Sequence, residues 1–531
     1  MSKKLITTIL TGVVFMSNMH IATLPVKAAN NSDLSVPLEN IVYVSPNGNA
    51  ENADGTIDDP FSTVEAARDY LRTKDIGKDS RGIIYLREGT YHVTNSISLT
   101  SEDSYVTYAA YKGESVEITG SATLENGKFK KLSEVSGEKY SSQTRLPSGV
   151  ADKVYVYDLG AAGIPVGDVY KNGFNWTKQP PQPEFIVNGE LQILARYPNN
   201  GTITKSHLEI PNKGGVPRDF DKTDYSKTYE EMLAMNGPVF CIKNLPDSAH
   251  IWAGAYDYDN VYSAVNGDMP AVNPLNDNTK YETDGWLSGY FANEYGNDNV
   301  QMYSVRLHTD GKYYIYCKYP SLYGVSANSL KVSAINLLCE LDSTGEYYID
   351  RYNDNNVLYY YPQNGVIDNQ SITLNAFDKP LVTMENAAGI QISGIRFTGT
   401  TNSGITMTDC ELCTISGCEL YNISMDAIKI GDNNGMITAD SGYDTFGGGH
   451  NNTVANCVIH DMGHGGVYMA GGDRKSLERG NNMVKNCEFY NVSRLETYTP
   501  AIYLEGVGNT AQETIYMMRR TWLFRLWETI C

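Results

Sequence analysis

Residues 390–397 read IQISGIRF, and the same pattern returns as LCTISGCELYN at 412–422, NTVANCVIHD at 452–461 and NMVKNCEFYN at 482–491. Apolar residues at every second position predict β-strands, and repetition of short units predicts a solenoid. Each copy has Gly or Asn at its centre, at positions 394, 417, 456 and 486. These two residue types tolerate the left-handed backbone of a sharp corner. We therefore predict an all-β chain folded as a right-handed parallel β-helix.

The residue after each corner is Ile395, Cys418, Cys457 or Cys487, and we expect these side chains to stack inside the repeat. The nine cysteines are an odd number and lack tightly paired spacings, so we interpret them as core thiols rather than disulfides. Cys410 and Cys413 have the spacing of a metal-binding pair, but no second pair follows, and a corner position is the preferred interpretation. No metal or cofactor is predicted.

The net charge and the length of the chain limit its possible binding partners and indicate its number of domains. The chain has 531 residues, with 62 acidic and 42 basic side chains and a net charge of −20. Such an acidic surface argues against nucleic acid or an anionic membrane as partner. A chain of this length is expected to hold more than one domain, and we expect it to be a monomer.

The N-terminus has the features of a secretory signal. Lys3 and Lys4 precede an apolar run from Leu5 to Phe15, and small residues around Ala28 offer a cleavage site. The run is too short to span a membrane. We predict a signal peptide over residues 1–28 and a secreted, extracellular protein without a membrane span.

The remaining chain divides into a repeat with an interruption. Residues 41–120 are predicted to form an N-terminal cap and the first coils. The cap is predicted to be a helix opened by a Ser62–Glu65 capping box, with Val64, Ala67 and Leu71 on its one apolar face. Residues 121–370 lack the repeat and are predicted to be a β-rich inserted domain. The main coils are expected over residues 371–512.

The N-terminal motifs resemble those of secreted bacterial right-handed parallel β-helix glycoside hydrolases, in particular glycoside hydrolase family 141. The matching motifs are YVSPNG at 43–48, DPF at 59–61 with AAR at 66–68, and YLREGTY at 85–91. LARYPN at 194–199, GEYYIDR at 345–351 and LYYYP at 358–362 resemble further segments of that family. The resemblance implies a pectate-lyase-like fold and hydrolysis of plant cell-wall polysaccharides.

Glycoside hydrolysis needs two carboxyl groups, one to protonate the leaving oxygen and one as nucleophile or as base for water. In the resembled family a carboxylate in a strand of the form AIxLEGVGN lies in the active site. Residues 501–509 read AIYLEGVGN, so the resemblance implies Glu505 as a catalytic residue. The alternative is an exposed glutamate at the end of a strand.

Five further residues are candidate substrate-binding groups. Asp473 and Arg474 match a GGDRK loop of the resembled family, although they could instead form a salt-bridged loop. His460, Asp461 and His464 could form a polar cluster, and the alternative is that they are turn residues with local hydrogen bonds only.

Three longer segments interrupt the coils, at 431–451, 471–477 and 492–500, and we expect them to stack into one wall of a cleft. The first contains Asp432, Asp440 and Asp444. These carboxylates could serve as Ca²⁺ ligands if the protein were a polysaccharide lyase.

The tail at residues 513–531 departs from the repeat, with two Trp, three Arg and a terminal Cys. A different reading frame from Glu513 onward can restore the alternation and the family's next motif. We therefore hypothesise a frameshift that truncates a longer glycosidase and removes its second catalytic carboxylate.

The prediction is a glycoside hydrolase that acts on a polysaccharide or oligosaccharide by a two-carboxylate mechanism and is inactive if truncated. The acidic balance makes a neutral glycan a better substrate than a polyanionic pectin. The two alternatives are a pectate-type polysaccharide lyase and a non-catalytic glycan-binding solenoid.

Overall fold

A computed structural model of the chain describes residues 36–49, 52–169, 173, 180–204, 208–212, 237–242, 245–253, 278–307, 313–318, 320–321, 323–431, 447–517 and 524–526. The expected signal peptide and the residues Asp432, Asp440 and Asp444 lie outside this part of the chain. Within it, no helix is both long enough and apolar enough to cross a membrane.

Three parallel sheets, here called A, B and C, contain the strands of the repeat. From Gly82 onward each repeat unit adds one strand to each sheet in turn, and equivalent strands of neighbouring units pair in register. The described part of the chain is therefore nearly all β, with parallel pairing between successive units, as predicted. Sheet A consists of Ile41–Asn49, Gly82–Leu86, Val106–Ala110, Gln391–Ser393, Thr414–Ser416, Thr453–Ala455, Met483–Lys485 and Thr510–Gln512. Sheet B consists of Gly89–His92, Val116–Thr119, Arg396–Thr400, Glu419–Ile423, Val458–Met462, Glu488–Tyr490 and Ile515–Met517. Sheet C consists of Ile97–Leu99, Val382–Glu385, Ile405–Thr408, Ile428–Ile430, Val467–Met469, Ile502–Leu504 and Phe524–Leu526.

The corners between sheets A and B adopt the predicted left-handed conformation. The backbone φ is 68° at Gly394, 60° at Gly417, 55° at Asn456 and 49° at Asn486. The next unit has Glu513 at this place, with φ 50°. Most residues are disfavoured there because their Cβ approaches the following carbonyl oxygen. Gly has no Cβ, and the short side chain of Asn can compensate by a local hydrogen bond.

The interior of the repeat is one apolar cluster. Ile395, Cys418, Cys457 and Cys487 are each at most 2% exposed, as predicted from their place after the corner. All eight described cysteines are buried free thiols, which confirms the interpretation as core residues for that part of the chain. Side chains buried in this way each contribute roughly 1.5–3 kcal/mol when they are as large as Val or Ile.

The α-helix Val64–Arg72 covers the N-terminal strands of sheet A. Its residues Val64, Ala67 and Leu71 are buried in the same cluster, as its apolar face predicted. The cap differs by one position, because the side chain of Thr63, not Ser62, accepts a hydrogen bond from the Ala66 main-chain N–H. Short 3₁₀ helices lie in connections at Leu38–Asn40, Ser101–Asp103, Tyr111–Gly113, Asn126–Lys128, Leu132–Glu134, Glu138–Arg145, Ala151–Lys153, Asp247–Ile251, Leu338–Glu340 and Tyr352–Asp354.

A ladder of asparagines closes the connection from sheet C back to sheet A. Asn482 Oδ1 accepts from the Asn452 main-chain N–H at 2.8 Å, and Asn509 Oδ1 accepts from that of Asn482 at 3.1 Å. Asn482 Nδ2 donates to the carbonyl oxygen of Ala470 at 2.9 Å. Asn452 and Asn482 are fully buried. Main-chain groups that would otherwise be unpaired in the interior are thereby satisfied.

The inserted segment forms a lobe of mostly antiparallel sheets, here called D, E and F, with apolar clusters of its own. The first repeat strand after the lobe is Val382–Glu385, later than expected, because Ile372–Asn375 pairs with Glu184–Val187 in sheet D. Sheet D consists of Glu190–Leu191, Glu184–Val187, Ile372–Asn375 and Ala122–Thr123. Sheet E consists of Ile193–Leu194, Glu346–Asp350, Val357–Tyr360, Tyr155–Asp158 and Lys130–Lys131. Sheet F consists of Arg196–Tyr197, Lys331–Ile335, Trp286–Tyr290, Asn297–Leu307, Tyr313–Cys317, Val239–Ile242 and Leu208–Asn212, with Ile203–Thr204 beside Lys331–Ile335.

The lobe leaves the repeat at a connection from sheet B to sheet C, and the segment 491–501 leaves at the same kind of connection four strands further along sheet B. That segment binds the lobe, since Arg494 Nη1 contacts Glu184 Oε1 at 2.8 Å and Asn297 Nδ2 donates to the Leu495 carbonyl at 2.6 Å. Four strand steps correspond to roughly 19 Å. The lobe therefore lies along this corner.

The expectation of one wall made by three excursions is not met. The excursions that begin at Gly431 and Gly471 connect sheet C to sheet A, whereas residues 491–501 connect sheet B to sheet C and contact the lobe. Part of the C-terminal tail also continues the pairing, because Ile515–Met517 pairs with Glu488–Tyr490 and Phe524–Leu526 with Ile502–Leu504. The frameshift hypothesis stays a prediction.

Replacement of Asn482 by Ala should lower the free energy of unfolding by roughly 2–5 kcal/mol, because at least two buried main-chain groups lose their partners. Urea denaturation of the full chain measures this. Asn47→Ala, at an exposed position, is the matched control and should change stability by less than about 0.5 kcal/mol. Equal effects of the two variants would contradict the role of the ladder.

Replacement of Glu513 by Asn should raise the free energy of unfolding by about 0.5–1 kcal/mol, because Asn tolerates a positive φ better than Glu. The control is Glu88→Asn, where the side chain is exposed and φ is not positive. The thermal midpoints of both variants provide the measurement. A stabilisation confined to the control would show that the corner at Glu513 is not strained.

Candidate functional site

The outward face of sheet C carries the candidate site. The strands Val467–Met469 and Ile502–Leu504 bury their first and third residues and place Tyr468 and Tyr503 side by side on the outer surface. The two rings stack with centroids 5.3 Å apart and planes inclined by 11°. Lys429 occupies the same register position on the preceding strand. The three side chains form a row on one rigid surface.

Glu505 lies next to this row. Its main-chain N–H donates to the Met469 carbonyl at 2.9 Å, which continues the sheet, and the residue is 3% exposed. One carboxylate oxygen accepts from the Tyr468 hydroxyl at 2.9 Å, and the other contacts Arg474 Nη2 at 3.3 Å. A carboxylate accepts hydrogen bonds only, and both of these partners are donors. The structure thus brings together the predicted residues Glu505 and Arg474.

Glycines at two successive levels allow this approach. Gly471 has φ 143° and Gly506 φ 92°, and a Cβ atom on Gly506 would lie 2.0 Å from the Gly471 carbonyl oxygen. Only glycine permits so close a contact of two backbones. The loop that begins at Gly471 therefore stays close to the end of the strand, and Arg474 can reach the Glu505 carboxylate.

The described hydrogen bonds of the Asp473 side chain are to main-chain groups of its own loop. Its Oδ1 accepts from the main-chain N–H groups of Lys475 at 2.7 Å and Ser476 at 3.1 Å, and these bonds lower the pKa of the carboxyl. Such a bonding pattern builds a turn. Binding of a ligand by Asp473 stays a prediction.

His460 and Asp461 lie on sheet B, away from the row on sheet C. His460 Nδ1 contacts Asp461 Oδ2 at 2.7 Å and Nε2 contacts Glu419 Oε1 at 3.3 Å, and the ring stacks between Tyr421 and Tyr490. Burial opposes a charged ring, but the bonds to Asp461 and Glu419 prevail and raise the pKa of His460 to about 8. The pKa of Asp461 is lowered in spite of its burial. These contacts favour the protonated form of the His460 imidazole and hold the ring in place on sheet B.

His464 occupies a third place. It is 3% exposed in the connection from sheet B to sheet C, and its carbonyl accepts from the Ser493 main-chain N–H at 2.7 Å. The predicted cluster of His460, Asp461 and His464 is therefore spread over a strand face and a buried corner. Its role in binding a substrate stays a prediction.

Tyr468 and Tyr503 were missed as site residues. The available signal was the central aromatic residue in two short strands, VYM at 467–469 and IYL at 502–504, which alternation places outward. In the part of the chain that is described, no group of three or more His, Cys, Asp or Glu side chains could hold a metal ion.

Comparisons with known proteins give a fold likeness and one short sequence match. No family model matches the chain. A stretch of 83 residues is 40% identical to pectate lyase PEL9 of Emericella nidulans, which covers 15% of this chain and only 18% of that relative. A solved structure of a glycoside hydrolase has a TM-score of 0.52 at 14% identity, over 90% of this chain and 87% of that one. This likeness concerns the fold alone.

A solved complex of XylC with xylose is more distant. Its TM-score is 0.38 at 11% identity, over 87% of this chain and 56% of that chain.

Replacement of His460 by Gln should cost roughly 2 kcal/mol more unfolding free energy at pH 6 than at pH 9. A histidine whose pKa is raised from 6.5 to about 8 in the folded state stabilises it fully below the unfolded pKa. That contribution disappears as the pH rises through the folded pKa. Urea denaturation at both pH values measures the difference.

His92→Gln on the same sheet, at an exposed position, is the control and should show no such pH dependence. A constant cost of His460→Gln from pH 6 to pH 9 would mean that the imidazole is not charged in the folded protein.

Proposed function

We propose that sheets A, B and C are the walls of a right-handed parallel β-helix and that the chain is a secreted carbohydrate-active protein of glycoside-hydrolase type. One observation carries the functional proposal, namely the Glu505 carboxylate held by Tyr468 and Arg474 beside a stacked tyrosine pair. The likeness of the fold to a glycoside hydrolase and the short match to a pectate lyase support it.

The tyrosine row suits a chain of sugar rings. Tyr468 and Tyr503 stand on neighbouring strands, which are roughly 4.8 Å apart in any sheet. Tyrosine combines an apolar ring face with a polar tip, so it can contact a sugar ring and one of its hydroxyl groups. A polysaccharide or oligosaccharide would then run along the outer surface of sheet C.

Glu505 is proposed as one of the two carboxyl groups that glycoside hydrolysis requires. Its described partners donate hydrogen bonds, which favours the part of nucleophile or general base over that of the proton donor. Arg474 and Tyr468 hold the carboxylate in position.

Replacement of Glu505 by Gln should reduce kcat on the chain's best glycan substrate by about 10²–10⁴-fold, because a catalytic carboxylate is lost. Reducing-end release from plant cell-wall polysaccharides measures it, and affinity electrophoresis measures retained binding. Glu478→Gln is the control, since its side chain is 67% exposed in the neighbouring loop, and it should leave kcat unchanged.

Two results would contradict the proposal. Full activity of Glu505→Gln would remove Glu505 from the catalytic residues. Glycan binding without any turnover, by the unaltered chain and also by a version whose reading frame is restored after Gln512, would instead favour a non-catalytic glycan-binding protein.

The match to pectate lyase PEL9 favours a second candidate, β-elimination of an acidic polysaccharide. A lyase releases an unsaturated product that absorbs ultraviolet light, and Ca²⁺-dependent members lose activity on chelation. Product absorbance with and without a chelator separates the two reactions. The net charge of −20 favours hydrolysis of a neutral glycan.

Export is proposed from the first 28 residues alone. Expression of the full chain in a secreting bacterial host, followed by N-terminal sequencing of the protein in the medium, tests it. A start at Ala29 is expected, and retention of the whole chain inside the cells would contradict it.

A further inference from the structure

A cavity in the inserted lobe lies between sheets E and F. Its volume is about 370 Å³, and its polar lining includes Asp168, Asp284 and Arg351. The apolar lining includes the rings of Trp286, Tyr348 and Tyr352. This volume is within the range of about 300–1,000 Å³ that is usual for small-molecule sites.

Asp284 is firmly held at the wall of the cavity. Its Oδ1 accepts from the indole N–H of Trp286 at 2.7 Å and from Gln301 Nε2 at 3.2 Å, and its Oδ2 accepts from Asn336 Nδ2 at 3.1 Å. Burial raises the pKa of this carboxyl to about 6, with Arg351 acting in the opposite direction. The Asp284 side chain is thus pre-positioned at the wall of the cavity by three hydrogen bonds.

Arg351 supplies a donor that the described protein atoms leave unpaired. Its Nε donates to the Gly167 carbonyl at 2.8 Å and its Nη1 to the Ile349 carbonyl at 3.2 Å, which fix the plane of the guanidinium. Its Nη2 is buried without a hydrogen-bond partner among the described residues. A buried donor of this kind is costly unless something binds to it.

The three kinds of lining group fit one ligand chemistry. Carboxylates accept hydrogen bonds from hydroxyl groups, a guanidinium donates to ring or hydroxyl oxygens, and aromatic rings contact the apolar face of a sugar. Asp168 and Asp284 together outweigh the single charge of Arg351, which disfavours an anionic ligand.

We propose that this cavity is a second binding site, separate from sheet C, which takes one neutral saccharide unit. No residue of the cavity belongs to sheet C, so the inference does not depend on catalysis by Glu505. The lobe would bind a sugar while the outer surface of sheet C acts on the same polysaccharide molecule or on another one.

Calorimetric titration of the full chain with glucose, galactose and xylose tests the proposal, with galacturonate as the anionic probe. We expect at least one neutral sugar to bind with a millimolar Kd and galacturonate to bind at least tenfold more weakly. Arg351→Gln and Asp284→Asn should each weaken the binding at least tenfold. Asp168→Asn alters an exposed position and should also weaken the binding, even if the other two variants do not fold.

Glu294→Gln is the control within the lobe, because this carboxylate is 61% exposed and pairs with Lys331. It should bind the sugar as the unaltered chain does, and so should Glu505→Gln. The proposal is overturned if no neutral sugar binds, if galacturonate binds more tightly, or if binding survives in Asp168→Asn and is lost in Glu505→Gln. Loss of binding in Asp168→Asn with retention in Glu505→Gln supports it whatever the outcome for catalysis.

Discussion

The hydrogen bonds of the buried asparagines are the contacts on which the rest of the repeat depends. Each asparagine side chain accepts a main-chain N–H of the preceding unit and donates to carbonyl groups at the connection from sheet C to sheet A. Loops of different length can leave at this connection because the asparagine closes it independently of the loop. Asn509 extends the same arrangement to the site, where its Nδ2 donates to the carbonyl of Glu505 at 2.6 Å.

The lobe and the candidate site use different corners of the repeat. The lobe is fixed by polar contacts at the corner between sheets B and C, where Glu184 meets Arg494. A largely buried ion pair of this kind adds little net stability but is costly to break, so it specifies a position. Arg474 and Glu505 lie instead at the corner between sheets C and A, where glycines let two backbones approach each other.

Sequence periodicity predicted what depends on local geometry. Alternation identified the strands, Gly and Asn identified the left-handed corners, and the spacing of Val64, Ala67 and Leu71 identified the buried face of the helix. The cap at Thr63 was misplaced by one residue because Ser62 is chemically equivalent. Local patterns of this kind were sufficient to predict most features of the fold class.

Contacts between units were harder to predict. The ladder of Asn452, Asn482 and Asn509 depends on how loops of unequal length stack, which alternation does not encode. Arg474 and Glu505 are 31 residues apart and were associated only through a family resemblance. In the lobe, Asp284 and Arg351 line one cavity because two sheets pack together, and no motif joins them. Such pairs follow from tertiary structure alone.

The column of buried thiols determines how the protein can be inactivated by oxidation over time. A thiol reacts as its thiolate and only when a reagent reaches it, so Cys418, Cys457 and Cys487 are protected while the units remain stacked. Folding needs no oxidant and no correct choice of partners among these cysteines. Once the units separate, however, the same thiols become available for oxidation, and a molecule that has been modified there can no longer close its interior. In an oxidising medium the lifetime of the protein would then be set by how often the stack opens.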